Sequence, residues 1–84
     1  MSLLEDVSLA LQAGRAPKVK ELVQQAVDEG IPAKDVLEQG LLSGMSVVGE
    51  KFKNNEVFVP EVLIAARAMN AGVAALSRGI EPVH

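Results

Sequence analysis

The chain of 84 residues has no cysteine, no tryptophan and no tyrosine, and its only histidine is His84. Each absence removes a class of function. Without cysteine there is no disulfide framework and no thiolate chemistry, which fits a reducing compartment, and a cytoplasmic location is the expectation. One terminal histidine leaves no material for a self-contained catalytic triad or a histidine metal cluster. Eight basic residues stand against eleven acids, scattered along the chain for a net charge of −3, so a nucleic-acid partner is not expected. No apolar run approaches ~18 uninterrupted residues, so no membrane span is expected either. The Met1-Ser2-Leu3-Leu4-Glu5-Asp6 start carries acids where a secretory signal would carry bases. The length allows one small domain and not two.

What is present is a helical pattern. Leu3, Leu4, Val7, Ala10 and Leu11 share one face of a first helix that Gly14 ends. A second helix opens at Pro17, carries Val19, Leu22, Val23, Ala26 and Val27, and stops at Gly30. A third runs from near Pro32 to about Lys53, with its main stripe at Val36/Leu37, Leu41, Gly44/Met45, Val48 and Phe52. Leu42 and Val47 lie off that stripe, so this helix is expected to be central to the bundle or to have a second covered face. Gly40, Gly44 and Gly49 each cost about 1 kcal/mol against alanine, which implies a close neighbour or a kink. The fourth helix starts at Pro60 with Glu61 in its first turn, where the helix dipole favours an acid. Val62, Ala66, Met69, Val73 and Leu76 form its large stripe, beside a small stripe of Ala65, Ala68, Gly72 and Ala75. No strand pattern competes. Short links favour antiparallel neighbours, so the expected fold is all-α, an antiparallel, up-down four-helix bundle over residues 1–78, with 79–84 beginning a linker.

One segment does not fit a plain bundle. After the turn signal Asn54-Asn55 come Val57, Phe58 and Val59, an apolar run where a loop tip should be polar. The only two aromatics, Phe52 and Phe58, flank this link. Either they plug the end of the bundle, or Phe52, Val57, Phe58, Val59 and Val62 form an apolar corner for a flat ligand or another protein. Glu50 and Glu61 flank the corner, and Arg67 lies on a surface face of the fourth helix.

Gly44-Met45-Ser46-Val47-Val48-Gly49-Glu50-Lys51-Phe52, then Phe58-Val59-Pro60-Glu61-Val62, then Ala65-Ala66-Arg67-Ala68-Met69, resembles the helical cap domain of cobalamin-binding methyl-transfer proteins. That group includes the corrinoid proteins of methylamine, methanol and aryl-ether demethylation and the cobalamin region of methionine synthase. The resemblance covers nearly the whole chain. It implies a bundle that precedes a Rossmann-like cobalamin domain, lies over the upper face of the corrin and shields the methyl–cobalt bond. By motif position it puts Phe52, Val59 and Val62 on that face. The domain is then not an enzyme by itself. In the complete protein, cobalamin would accept a methyl group from one methyltransferase and pass it to another. Val59 replaces a common leucine, and Asn55 a common glycine. The lower-face histidine motif D-x-H-x-x-G is absent, and His84 has no matching context, so the expectation is a cap domain cut near its linker that meets cobalamin only in the complete protein. An isolated bundle with that corner uncovered is expected to form a homodimer. The alternative from another class is a helical interaction or dimerisation module with no cofactor role.

Overall fold

A computed structural model describes residues 2–80, with side chains described through Ser77. Four helices carry the described residues, with no strand among them. Helix α1 is Leu3–Gln12 and α2 is Ala16–Asp28. Helix α3 spans residues 33–53 without a break: α-helical Ala33–Asp35, π-helical Val36–Leu42, then α-helical Ser43–Lys53. Helix α4 is Val59–Ile80. It therefore takes in the first two residues of the expected linker, while 81–84, and His84 with them, lie outside the described residues.

Sequence-local chemistry sets the helix ends. Ser2 and Glu5 form a reciprocal cap on α1. The Glu5 N–H donates to Ser2 Oγ at 3.1 Å, and the Ser2 N–H donates to a Glu5 carboxylate oxygen at 3.3 Å. At the other end, α1, α2 and α3 close in the same way. A residue with positive φ (Gly14, Gly30 and Asn55) follows the last helical turn. The next N–H reaches back over the turn: Arg15 to the Ala10 carbonyl, Ile31 to Ala26, Glu56 to Lys51. This double closure satisfies carbonyls that a helix end leaves orphaned. Asn55, at φ +61°, fills the position with the side chain best suited to it after glycine.

Consecutive helices reverse direction, as short links require. The most extensive packing, however, joins α1 to α3 and α2 to α4. These pairs run parallel: Gly40 faces Leu4 and Val7 while Gly44 faces Ser8 and Leu11, and Gly14 faces Ile64 while Val19 faces Gly72. Link length gave no indication of this pairing. The core is Val7, Leu11, Val19, Val23, Ala26, Val36, Leu41 and Val48, joined by Ala65, Ala68, Ala75 and Leu76 of α4. Ser8 is the buried polar residue of α1, and its hydroxyl accepts from Gln12 Nε2 at 3.0 Å.

On α4 the small stripe is the buried one, packed tightly inside the bundle, and Val62, Met69 and Val73 lie on its half-buried flank. The reason is proximity: a β-carbon on Gly72 would stand 2.6 Å from a Leu41 methyl and 2.8 Å from a Val19 methyl, so only small residues fit. One expectation for α3 needs correction: Leu42 and Val47 are exposed, so the helix has one buried face and is not central to its own bundle. The π-helical stretch gathers its buried residues into that face. At 3.6 residues per turn, Val36, Gly40, Leu41, Gly44 and Val48 would spread over about 140°. At roughly 4.4 residues per turn across the π stretch they gather within about 80°. Phe52 continues the stripe in sequence but is 46% exposed.

Residues 59–77 of α4 have a mean hydropathy of 1.3 and the length to cross a bilayer, by composition alone. Its apolar residues divide between buried Ala65, Ala68, Ala75 and Leu76 and exposed Val59, Leu63 and Ile64.

Of the three glycines of α3, Gly44 is pressed hardest on main chain: a β-carbon there would meet the Ser8 carbonyl oxygen at 3.0 Å and Leu11 at 3.1 Å. Gly44→Ala should therefore destabilise the fold by about 1–3 kcal/mol, reversing the sign that helix propensity alone gives. Urea unfolding followed by circular dichroism measures it, and a stabilised variant would show that α3 can lift off α1 freely.

Candidate functional site

The corner between α3 and α4 is built from backbone first. Phe52 sits in the last turn of α3, and its carbonyl accepts the Asn55 N–H at 3.1 Å. Lys51 accepts from Glu56 at 2.8 Å, which turns the chain. Two residues later the Phe58 carbonyl accepts the Glu61 and Val62 N–H groups at 2.9 and 3.2 Å, which starts α4. The tight turn and the new helix thus leave a short link, 54–58, with little freedom to tuck its side chains into the bundle.

The side chains divide accordingly. Phe58 is 68% exposed, Val59 54% and Phe52 46%, so the two aromatics do not plug the end of the bundle. Val57 and Val62 are half-buried, and Val62 packs against the core. Leu63, 59% exposed, adds to the apolar corner one helical turn after Val59, a contribution the sequence pattern did not single out. Its signal was available: Leu63 falls off both stripes of α4. Glu50 and Glu61 are exposed beside these residues, as is Arg67.

A different flank of α4 borders a cavity of about 220 Å³ lined by Gln12, Gly14, Val48, Lys51, Val57 and Ile64, with Ala13 and Glu61 completing it. It is separate from the exposed faces of Phe52, Phe58 and Val59, none of which lines it.

The described residues hold no cluster of acids or imidazoles able to ligate a metal, and no buried polar side-chain atom lacks a partner. The arrangement is suited to water-excluding contact with a flat, largely apolar surface rather than to directed polar recognition.

The chain belongs to the B12 binding domain family, which it matches over residues 3–77. It is 42% identical over 76 residues to a corrinoid protein of Desulfitobacterium hafniense (strain Y51), covering 90% of this chain and 35% of that one. It is 40% identical over 62 residues to the trimethylamine corrinoid protein of Methanosarcina barkeri, covering 74% and 29%. Among solved structures, the Methanosarcina barkeri monomethylamine corrinoid protein superposes with a TM-score of 0.87 at 29% identity, over 90% of this chain and 36% of that one. The methanol:cobalamin methyltransferase complex MtaBC from the same organism gives 0.86 at 26% identity, over 96% and 31%. The chain spans about a third of the length of the curated relatives it matches. Cobalamin is the ligand class of this family.

Because the corner side chains stand outside the core, Phe58→Ala should change unfolding free energy by no more than about 0.5 kcal/mol, whereas Leu41→Ala should cost about 2–5 kcal/mol. Thermal melts of the two variants make the comparison, and a large loss at Phe58 would place that ring in the core.

Proposed function

We propose that this domain is the non-catalytic cap of a corrinoid methyl-carrier protein. It covers the upper axial face of methylcobalamin while the methyl group waits between transfers. The observation that carries the reading is the apolar corner of exposed Phe52 and Val59 and half-buried Val62, with exposed Phe58 and Leu63 beside it, on a bundle whose own core is already filled. Cobalamin, when bound, supplies the methyl-accepting and methyl-donating metal. The residues of this chain supply only contact and exclusion of water. Apolar, undirected contacts suit a lid that must move aside at each transfer, since no polar network has to be broken. The partners on this reading are a Rossmann-like cobalamin domain below the cap and, in the cytoplasm, one methyltransferase that donates and one that accepts.

Phe52→Ala tests the lid. The ring is nearly half exposed, so its loss should fall well short of the 3–5 kcal/mol of a core phenylalanine. In the full-length protein loaded with methylcobalamin, photolysis should speed up while the melt hardly moves, with smaller effects in the same direction for Val59→Ala and Val62→Ala. A collapsed melt with unchanged photolysis in the folded fraction would make Phe52 a core residue and refute the assignment.

An interaction module with no cofactor role is the competing reading. It draws on the same exposed corner, which an isolated domain should cover by pairing with a second copy. Sedimentation across a concentration series should show a reversible dimer of the 84-residue chain that Phe58→Ala weakens. A strict monomer at high concentration would count against self-association.

A further inference from the structure

Two of the three glycines within α3 are explained by the bundle itself. A β-carbon on Gly40 would stand 3.1 Å from a Val7 methyl, and one on Gly44 would stand 3.0 Å from the Ser8 carbonyl oxygen. Gly49 has no such reason. It is exposed, sits inside the regular α-helical part of α3, and has nothing within 4 Å of where a β-carbon would be. An exposed glycine in a helix interior is a net loss of stability, and alanine would fit the space without any adjustment.

The position of this open place is informative. Gly49 precedes Phe52 by three residues and follows Met45 by four, so the three share one face of α3. Just under one turn, about 4.5 Å of helix rise, separates it from the residue proposed above to meet the corrin. A corrin is a flat macrocycle much wider than a phenyl ring, so a macrocycle resting on Phe52 extends past that side chain toward the neighbouring turn.

We infer that Gly49 is a clearance position: α3 gives up a side chain there so that the edge of the corrin macrocycle can lie against the helix backbone beside Phe52. The inference rests on the cap reading and deepens it by assigning a residue that makes room rather than contact. The bare Cα lets the macrocycle sit flat across Phe52, Val59 and Val62 at once. A methyl group at 49 tilts it away from the other three and opens the axial position to water.

The test pairs two readouts that a merely structural glycine would move together. In the 84-residue chain, Gly49→Ala should raise Tm by about 5 °C, as expected for removing glycine from an open helix position. In the full-length protein loaded with methylcobalamin, the same substitution should accelerate photolysis by about twofold or more, and Gly49→Leu should accelerate it further. Stability and protection then change in opposite directions. A Tm that falls or stays put with Gly49→Ala would give the glycine a role inside the bundle and overturn the inference. So would photolysis unchanged by both substitutions while Phe52→Ala accelerates it. If Phe52→Ala also leaves photolysis unchanged, the cap reading itself fails, and the Tm result still reports the glycine's place in the free domain.

Discussion

The architecture depends on how near α3 can come to α1. At Gly40 and Gly44 there is no side chain between the helices, and the Ser8 carbonyl lies 3.0 Å from where a β-carbon would be. That approach fixes the lower half of α3, and the π-helical stretch Val36–Leu42 then lets its upper end turn Val36 into the same core. A second close approach, at Gly72 between Leu41 and Val19, seats α4. With both sets of contacts made, the start of α4 and the end of α3 have no remaining room inside, and their apolar side chains are left on the surface. The exposed corner is in this sense a product of tight packing elsewhere: a core of valines, alanines and leucines closes without needing either phenylalanine.

Much of this was legible in the sequence. Gly14, Gly30 and Asn55 mark where three helices end, because the closing turn needs a residue that tolerates positive φ. The run Val57-Phe58-Val59 stands out because it puts apolar residues where a link should be polar. The small stripe of α4 was legible as a face for close helix packing. That Val62, Met69 and Val73 are left half-buried beside it was not. Nor was the π stretch, because an extra residue in a turn looks like a broad apolar face when read at 3.6 residues per turn. The exposure of Phe52 was hidden for a related reason. It keeps the periodicity of the stripe but lies beyond the last residue of the core, so the pattern continues after the partner helix has ended. Leu63 was visible as an off-stripe residue, yet a lone exposed leucine is ordinary and became meaningful only beside Val59 and Phe58.

The family assignment and the geometry address different links of the argument. Membership of the B12 binding domain family and the superposition on two corrinoid-system structures establish what kind of domain this is. The exposures and contacts within the chain indicate which residues are left over after the domain has stabilised itself. Phe52, Phe58, Val59 and Leu63 are left over as surplus apolar surface, and Gly49 as surplus space. Function is sought among such leftovers because folding gives no account of them.

The turn that joins α3 to α4 is closed by main-chain bonds, from Asn55 to Phe52 and from Glu56 to Lys51, and by the start of α4 on the Phe58 carbonyl. Apart from the positive φ at Asn55, that closure places no demand on side-chain identity. The path of the chain and the chemistry it displays are therefore separable here. Residues 57–59 can be exchanged without redrawing the loop, so an exposed part of the domain is also a part open to evolutionary and engineered change.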